Sequence, residues 1–288
     1  MAFGTNIRTF FEGSWHEGDI PVMRAADHGL WQGSSVFDGA RLFDGLVPDL
    51  EAHCARVNRS AEALMITPTV EATEMVEIAR EGLRAYGRDA AVYIRPMYWA
   101  VAGSELGVAP MANSTRFALC LEEVAMPPAD KATTLTTTQF RRPVLADNVC
   151  NAKAGCLYPN NARMLVEAQR KGFGNALVCD AMGNVAETAT ANVFIIRDGV
   201  AMTPIANGTF LSGITRARHI SNMRAAGIEV RECVLRIEDV RAADEVFLSG
   251  NFAKVTPVTA FDDVRYGDNP VTQRIRSLYW DWAASQPL

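Results

Sequence analysis

Residues 175–204 read NALVCDAMGNVAETATANVFIIRDGVAMTP. Short apolar runs flank Met182-Gly183-Asn184, and two more flank Asp198-Gly199. A glycine turn between two β-prone runs is a hairpin signal. Strands this close in sequence pair antiparallel, because a parallel crossover needs about a dozen residues or more. The stretch therefore predicts an α+β protein with successive hairpins, not a series of βαβ units.

On its N-terminal side, helical spacing covers 157–171 and stops at Gly172, and TLTTTQFRR (134–142) reads as a strand. On its C-terminal side, a helix over 215–226 stops at Gly227, followed by strands IEVRECVL (228–235) and DEVFLSG (244–250). Nearer the start, IRTFFEGSW and GDIPVM predict short strands around a turn at Glu17-Gly18, and SSVFDGARLFDGLVPDL (34–50) predicts two strands joined by Asp44-Gly45. Amphipathic helices are expected over 50–64 and 70–86, and strands in AAVYIRPMYWAV (90–101) and TRFALCLEEV (115–124). Paired prolines and polar residues mark 126–135 as a linker. Two domains follow, 1–125 and 136–288.

Composition narrows the class. The chain has 288 residues, 49% apolar and 21% charged, which is ordinary for a globular protein. Its net charge is −5 with no basic block, so no nucleic-acid partner is expected. No apolar run reaches the roughly 18 residues that span a bilayer, and the start lacks a signal-peptide pattern. No membrane association and a cytoplasmic location are expected. None of the six cysteines forms a C-x-x-C pair, so reduced, buried thiols are expected. The histidines lack metal-ligand spacing, and no metal is expected.

Of 28 basic residues, only Lys131, Lys153, Lys171 and Lys254 are lysines. Unlike arginine, a desolvated lysine can lose its proton near neutral pH. Lys131 lies in the polar linker, Lys171 precedes a helix stop, and Lys254 falls at a strand edge or turn. Lys153, in Asn-Ala-Lys-Ala-Gly-Cys before a helix, has small neighbours that would let a ligand approach. It is either a surface lysine or a Schiff-base amine. Gly213-Ile214-Thr215-Arg216 opens a helix and is either an ordinary cap or an anion site. Glu187, among apolar residues, either ends a strand in water or pairs with a buried cation. Arg95, with apolar neighbours, could clamp a carboxylate, Tyr158 could pack or face a site, and His53 with Arg56 could form one solvated helix face.

Taken in order, SSVFDGARLFDG (34–45), HCAR (53–56), AVYIRP (91–96), NAKAGCLY (151–158), VAETATANVF (185–194), LSGITRA (211–217), ADEVFLSG (243–250) and VTPV (255–258) resemble the class IV, fold type IV, pyridoxal-phosphate aminotransferases, and among them the branched-chain amino-acid aminotransferases. The resemblance implies a small α/β N-terminal domain and a larger, β-barrel-like C-terminal domain with pyridoxal 5′-phosphate between them. It implies Lys153 as the Schiff-base lysine and proton carrier, Glu187 as partner of the pyridine nitrogen, and Tyr158 near the 3-oxygen. Arg56, Gly213, Ile214 and Thr215 match the phosphate cup, Leu211 the residue packed on the ring, and Thr190 or Asn251 a further phosphate contact. Phe37, Arg41, Tyr93 and Arg95 match the substrate pocket, with Phe252 and Ala253 as further substrate-binding positions. A homodimer with the active site at its interface is also implied, with amino-acid and 2-oxo-acid substrates. Departures at Gln32 and at Asn251-Phe252-Ala253 predict altered specificity. The alternatives are a D-amino-acid or (R)-amine transaminase, or an aminodeoxychorismate lyase.

Overall fold

The computed structural model describes residues 4–288, which divide into two compact units. The first comprises 4–126, 152–157 and 286–288. Its strands are β1 (Thr5–Phe11), β2 (Ser14–Glu17), β3 (Ser35–Phe37), β4 (Ala40–Leu42), β5 (Val92–Ala100) and β6 (Thr115–Glu123), and its helices α1 (His28–Trp31), α2 (Leu50–Ala63) and α3 (Ala72–Leu83). They form one antiparallel sheet ordered β2-β1-β6-β5-β3, with β4 also on β5. The first hairpin turns at Glu12-Gly13, not at Glu17-Gly18, and 18–23 form no strand. Both turn residues have positive φ, 50° and 80°, which matches a two-residue turn to the strand twist.

The predicted 34–50 hairpin is also corrected. β3 and β4 both pair with β5 in one continuous register, Phe37 opposite Met97 and Ala40 opposite Ile94. The ladder lapses at Asp38-Gly39 because the residue opposite Asp38 is Pro96: the Asp38 N–H still donates to the Pro96 carbonyl at 3.0 Å, but proline has no N–H to return the bond. Past the tight turn at Asp44-Gly45, Leu46 pairs with Phe43 and with Pro287.

The second unit comprises 127–151 and 158–285. Its strands are β7 (Thr133–Arg142), β8 (Asn175–Asp180), β9 (Val185–Thr188), β10 (Asn192–Arg197), β11 (Val200–Pro204), β12 (Val230–Cys233), β13 (Glu245–Gly250), β14 (Lys254–Phe261) and β15 (Val264–Arg265). Its helices are α4 (Tyr158–Arg170), α5 (Ile214–Ala225), α6 (Ile237–Arg241) and α7 (Pro270–Ala283). The sheet runs β12-β11-β10-β13-β14-β7-β8-β9, with β15 on β14. Both hairpins of the deciding stretch are present, β8–β9 and β10–β11. β10 is buried on both faces. Val193 and Ile195 enter one apolar cluster with Leu177, Leu235 and Val246, while Phe194 and Ile196 enter another with Phe247, Ile220 and Ile275. Phe194 and Phe247 stack at 4.8 Å, both fully buried. Phe247→Ala is expected to lower the unfolding free energy by about 3–5 kcal/mol, measurable by urea titration; a loss under about 1 kcal/mol would contradict this packing. The cysteine expectation fails at Cys156, which is exposed, and Cys233, which is half-buried. No helix among the described residues is long and apolar enough to cross a membrane.

Candidate active site

Lys153 follows β7 in sequence but belongs to the first unit. The Phe37 N–H donates to the Lys153 carbonyl at 3.1 Å, the Lys153 N–H donates to Ser60 Oγ at 3.1 Å, and Ala154 bridges Val36. β3 and α2 thus clamp its backbone from two sides. The amine rides 4.9 Å from the centre of the Phe37 ring, within cation–π range. The small neighbours serve packing: Ala152 and Ala154 are buried, and a Cβ on Gly155 would lie 2.7 Å from Ser35 Oγ.

Strand alternation places Phe37, Met97, Arg95, Tyr93 and Arg41 on one face of the first sheet, since Phe37 opposes Met97 and Arg41 opposes Tyr93. Four of the six predicted substrate residues, Phe37, Arg41, Tyr93 and Arg95, are therefore brought to one face. Two already hold oxygen partners. Arg95 pairs with Glu122 at 2.5 Å. Arg41 is fully buried, donates to the Val124 carbonyl at 2.5 Å, and is pushed down to about 10 by burial.

Asp38 is the hub of this unit. Fully buried, it accepts from His53 Nδ1 at 2.7 Å and from Arg56 Nε and Nη2 at 2.6 and 2.9 Å. His53 and Arg56 therefore form a buried helix face and not a solvated one. Burial alone would raise the Asp38 carboxyl, but the charges and hydrogen bonds of Arg56 and His53 hold it well below the usual carboxylate range. Because the folded-state value lies below the ordinary Asp value of about 3.9, ionised Asp38 stabilises the fold above that pH, and this stability is lost as pH falls through the folded-state value. Asp38→Asn is expected to flatten the acid-unfolding profile below about pH 5 when followed by circular dichroism; an unchanged profile would contradict the hub.

In the second unit, Glu187 projects from β9 with its carboxylate fixed at both oxygens. Arg142 approaches Oε1 at 3.1 Å, and Asn192 Nδ2 donates to Oε2 at 3.2 Å. Asn192 Nδ2 also reaches the carbonyl of half-buried Leu211 at 3.3 Å. Gly213 is the N-cap of α5 and supplies no side-chain cap. The first-turn N–H groups of Ile214 and Thr215 therefore open onto a small cradle, where a Cβ on Gly213 would come 2.1 Å from Asn192 Oδ1. Ser249 lies directly opposite Asn192 in the ladder. Ser249 Oγ and Asn251 Nδ2 are buried atoms without a hydrogen-bond partner among the described residues. Thr190 is not gathered here: it is exposed, and its hydroxyl accepts from Asn175 at 2.8 Å. Tyr158 opens α4 and is 38% exposed, and Phe252 is exposed beside half-buried Ala253.

A family model described as amino-transferase class IV matches residues 35–261, most of the chain. The chain is a class IV aminotransferase. The aminotransferase is 31% identical over 278 residues to the branched-chain-amino-acid aminotransferase of Escherichia coli K12, covering 92% of this chain and 88% of that protein. Among solved structures, an aminotransferase from Brucella abortus bound to the cofactor PLP shares 55% identity, with a TM-score of 0.95 over 96% of this chain and 99% of that one. The branched-chain enzyme of E. coli superposes with a TM-score of 0.88 at 30% identity, over 95% of this chain and 93% of that one. The aminotransferase has fold type IV, as the order of motifs implied.

The sequence reading missed Asp38, Arg142, Asn192 and Ser249 as members of the two clusters. Asn192 carried a signal, five residues after Glu187 in the same motif. The others become visible only through strand pairing and burial.

Proposed function

We propose that this aminotransferase uses pyridoxal 5′-phosphate to move an amino group from a hydrophobic L-amino acid to a 2-oxo acid such as 2-oxoglutarate. The observation that carries the reading is the donor-rich cradle at the start of α5. Its helix start has no side-chain cap and no side chain at Gly213, Ser249 lies opposite the Asn192 that abuts Gly213, and Ser249 Oγ and Asn251 Nδ2 are buried without a hydrogen-bond partner among the described residues. Such a place suits a phosphate group, whose oxygens can accept several hydrogen bonds. The residues present fit the cofactor.

When bound, the cofactor supplies a protonated pyridine ring that takes up the electron pair left on the substrate α-carbon. Glu187, fixed by Arg142 and Asn192, keeps the proton on the ring nitrogen. Lys153 would hold the cofactor covalently, and its Nζ, once released and neutral, would be the base that takes a proton from the substrate α-carbon and the acid that gives one back. Arg56, held by Asp38, would supply a fixed cation for the phosphate, Tyr158 a phenol for the 3-oxygen, and Leu211 an apolar surface for the ring. Phe37, Arg41, Tyr93 and Arg95 form the substrate wall, and Phe252 and Ala253 trim the space for the donor side chain. Since Arg95 shares its charge with Glu122, it orients a substrate carboxylate without acting as its sole cation.

The reading is tested by assaying 2-oxoglutarate with L-leucine, L-phenylalanine, D-alanine and an (R)-amine. Turnover of the L-donors is expected. Turnover of D-alanine alone, or pyruvate release without an acceptor, would overturn it.

We further propose a cytoplasmic homodimer, with the domains joined within 126–135, of which only 133–135 are strand. The dimer is supported by exposed apolar side chains in the first unit, Leu30, Trp31, Leu106 and Val108. The loop carrying the last two is tied to α1 by a His28–Gly107 hydrogen bond of 3.2 Å. Light scattering is expected to show a dimer that Leu106→Glu weakens; a monomeric wild type would contradict it.

A further inference from the structure

Gly250 opposes Lys254 across a three-residue loop, Asn251-Phe252-Ala253, that joins β13 to β14. Lys254 closes that loop with φ +65°. This left-handed conformation suits glycine and is disfavoured for any residue that carries a Cβ. The ammonium is then carried inward: Lys254 is 1% exposed. A buried cation in a disfavoured backbone state is an outlier that asks for a local reason.

Its partners give one. Lys254 Nζ donates to Asn251 Oδ1 at 2.5 Å and lies 5.5 Å from the centre of the Tyr279 ring. Its carbonyl meets His219 Nε2 at 3.1 Å, and His219 lies one turn along α5 from Thr215. The loop is thereby pinned to the helix whose first turn opens onto the Gly213 cradle. An ammonium has three donors and no acceptor, so it can hold only the oxygen end of the Asn251 amide. The Nδ2 end must then point elsewhere, and it is buried without a partner among the described residues, as is Ser249 Oγ two residues earlier. Ser249 itself opposes Asn192, the residue whose Oδ1 abuts Gly213.

We propose that Lys254 is a positioning residue of the phosphate site: it locks the Asn251 amide so that Nδ2 joins Ser249 Oγ and the α5 N–H groups as donors to the cofactor phosphate. The proposal rests on the pyridoxal-phosphate reading above. Lys254 touches neither the reacting carbon nor the substrate, so its loss weakens cofactor retention through the phosphate alone.

The test titrates full-length protein, freed of cofactor, with pyridoxal 5′-phosphate and separately with pyridoxal, which lacks the phosphate. Lys254→Met and Asn251→Ala are each expected to weaken pyridoxal-phosphate binding by about tenfold or more, the range for a lost charge-assisted hydrogen bond. Pyridoxal affinity stays within twofold, and the double variant loses little beyond either single one. Lys254→Gly, which suits the φ +65° backbone, gives the same result in a chain that folds even where the methionine variant does not. Equal weakening toward both ligands, full additivity, or unchanged binding in Lys254→Gly would overturn the proposal. If borohydride fixes pyridoxal phosphate to wild-type Lys153 while these variants bind normally, only the Lys254 proposal falls. If wild type binds no pyridoxal phosphate, both fall.

Discussion

Lys153→Ala is expected to abolish transamination, with kcat lowered by about 10³-fold or more. Two functions leave with one amine: covalent attachment of the cofactor, and proton transfer at the substrate α-carbon, which alone contributes about 10²–10⁴-fold. The fold should survive. The bonds that fasten this position, from the Phe37 N–H to its carbonyl and from its own N–H to Ser60 Oγ, are backbone bonds that alanine retains. The loss should therefore appear with an unchanged far-ultraviolet circular dichroism spectrum, and with the visible absorbance of the lysine-bound cofactor gone. A variant that keeps a tenth of wild-type turnover would contradict the assignment.

Glu187→Gln is expected to give the second largest loss, about 10²-fold or more in kcat with little change in KM. The carboxylate matters only as charge builds on the ring in the transition state, and removing a preorganised electrostatic partner there costs about 10²–10³-fold. The same change leaves Arg142, itself buried, facing a neutral amide in place of its ion-pair partner. Breaking a buried pair destabilises by about 3–5 kcal/mol. The melting temperature should fall as well, so the kinetic comparison belongs well below it. A fall confined to KM, or a kcat within fivefold of wild type, would contradict the role given to Glu187.

The parts of the fold that local rules govern were legible in the sequence. Turns at Met182-Gly183-Asn184 and Asp198-Gly199 stand where glycine permits positive φ, and both hairpins formed. α2 and α5 begin and end within a residue or two of their predicted bounds. α7 escaped prediction because two of its four buried positions, Thr272 and Tyr279, carry hydroxyls and blur the apolar stripe formed with Ile275 and Ala283. The Glu12-Gly13 turn was passed over for Glu17-Gly18, since both pairs offer the same residues and only strand pairing separates them.

The site was legible as a series of motifs but not as geometry. Arg95 was singled out by its apolar neighbours, and Phe37, Arg41 and Tyr93 were named only through the resemblance; pairing on β5 is what brings the four to one face. Asp38 lies 15 and 18 residues from His53 and Arg56, so nothing local shows that its carboxylate gathers both. Segment 152–157 joins the first unit through bonds to residues more than 90 positions earlier. Lys254 looked like an edge or turn lysine because its burial depends on α5 and α7 closing over the loop, through His219 and Tyr279.

The most direct measurement is to reduce the cofactor-loaded protein with borohydride, digest it, and locate the pyridoxyl mass by peptide mapping. The mass is predicted on the peptide that contains Lys153 and on no other. Label on Lys131, Lys171 or Lys254, or no label at all, would contradict the assignment on which the chemistry rests.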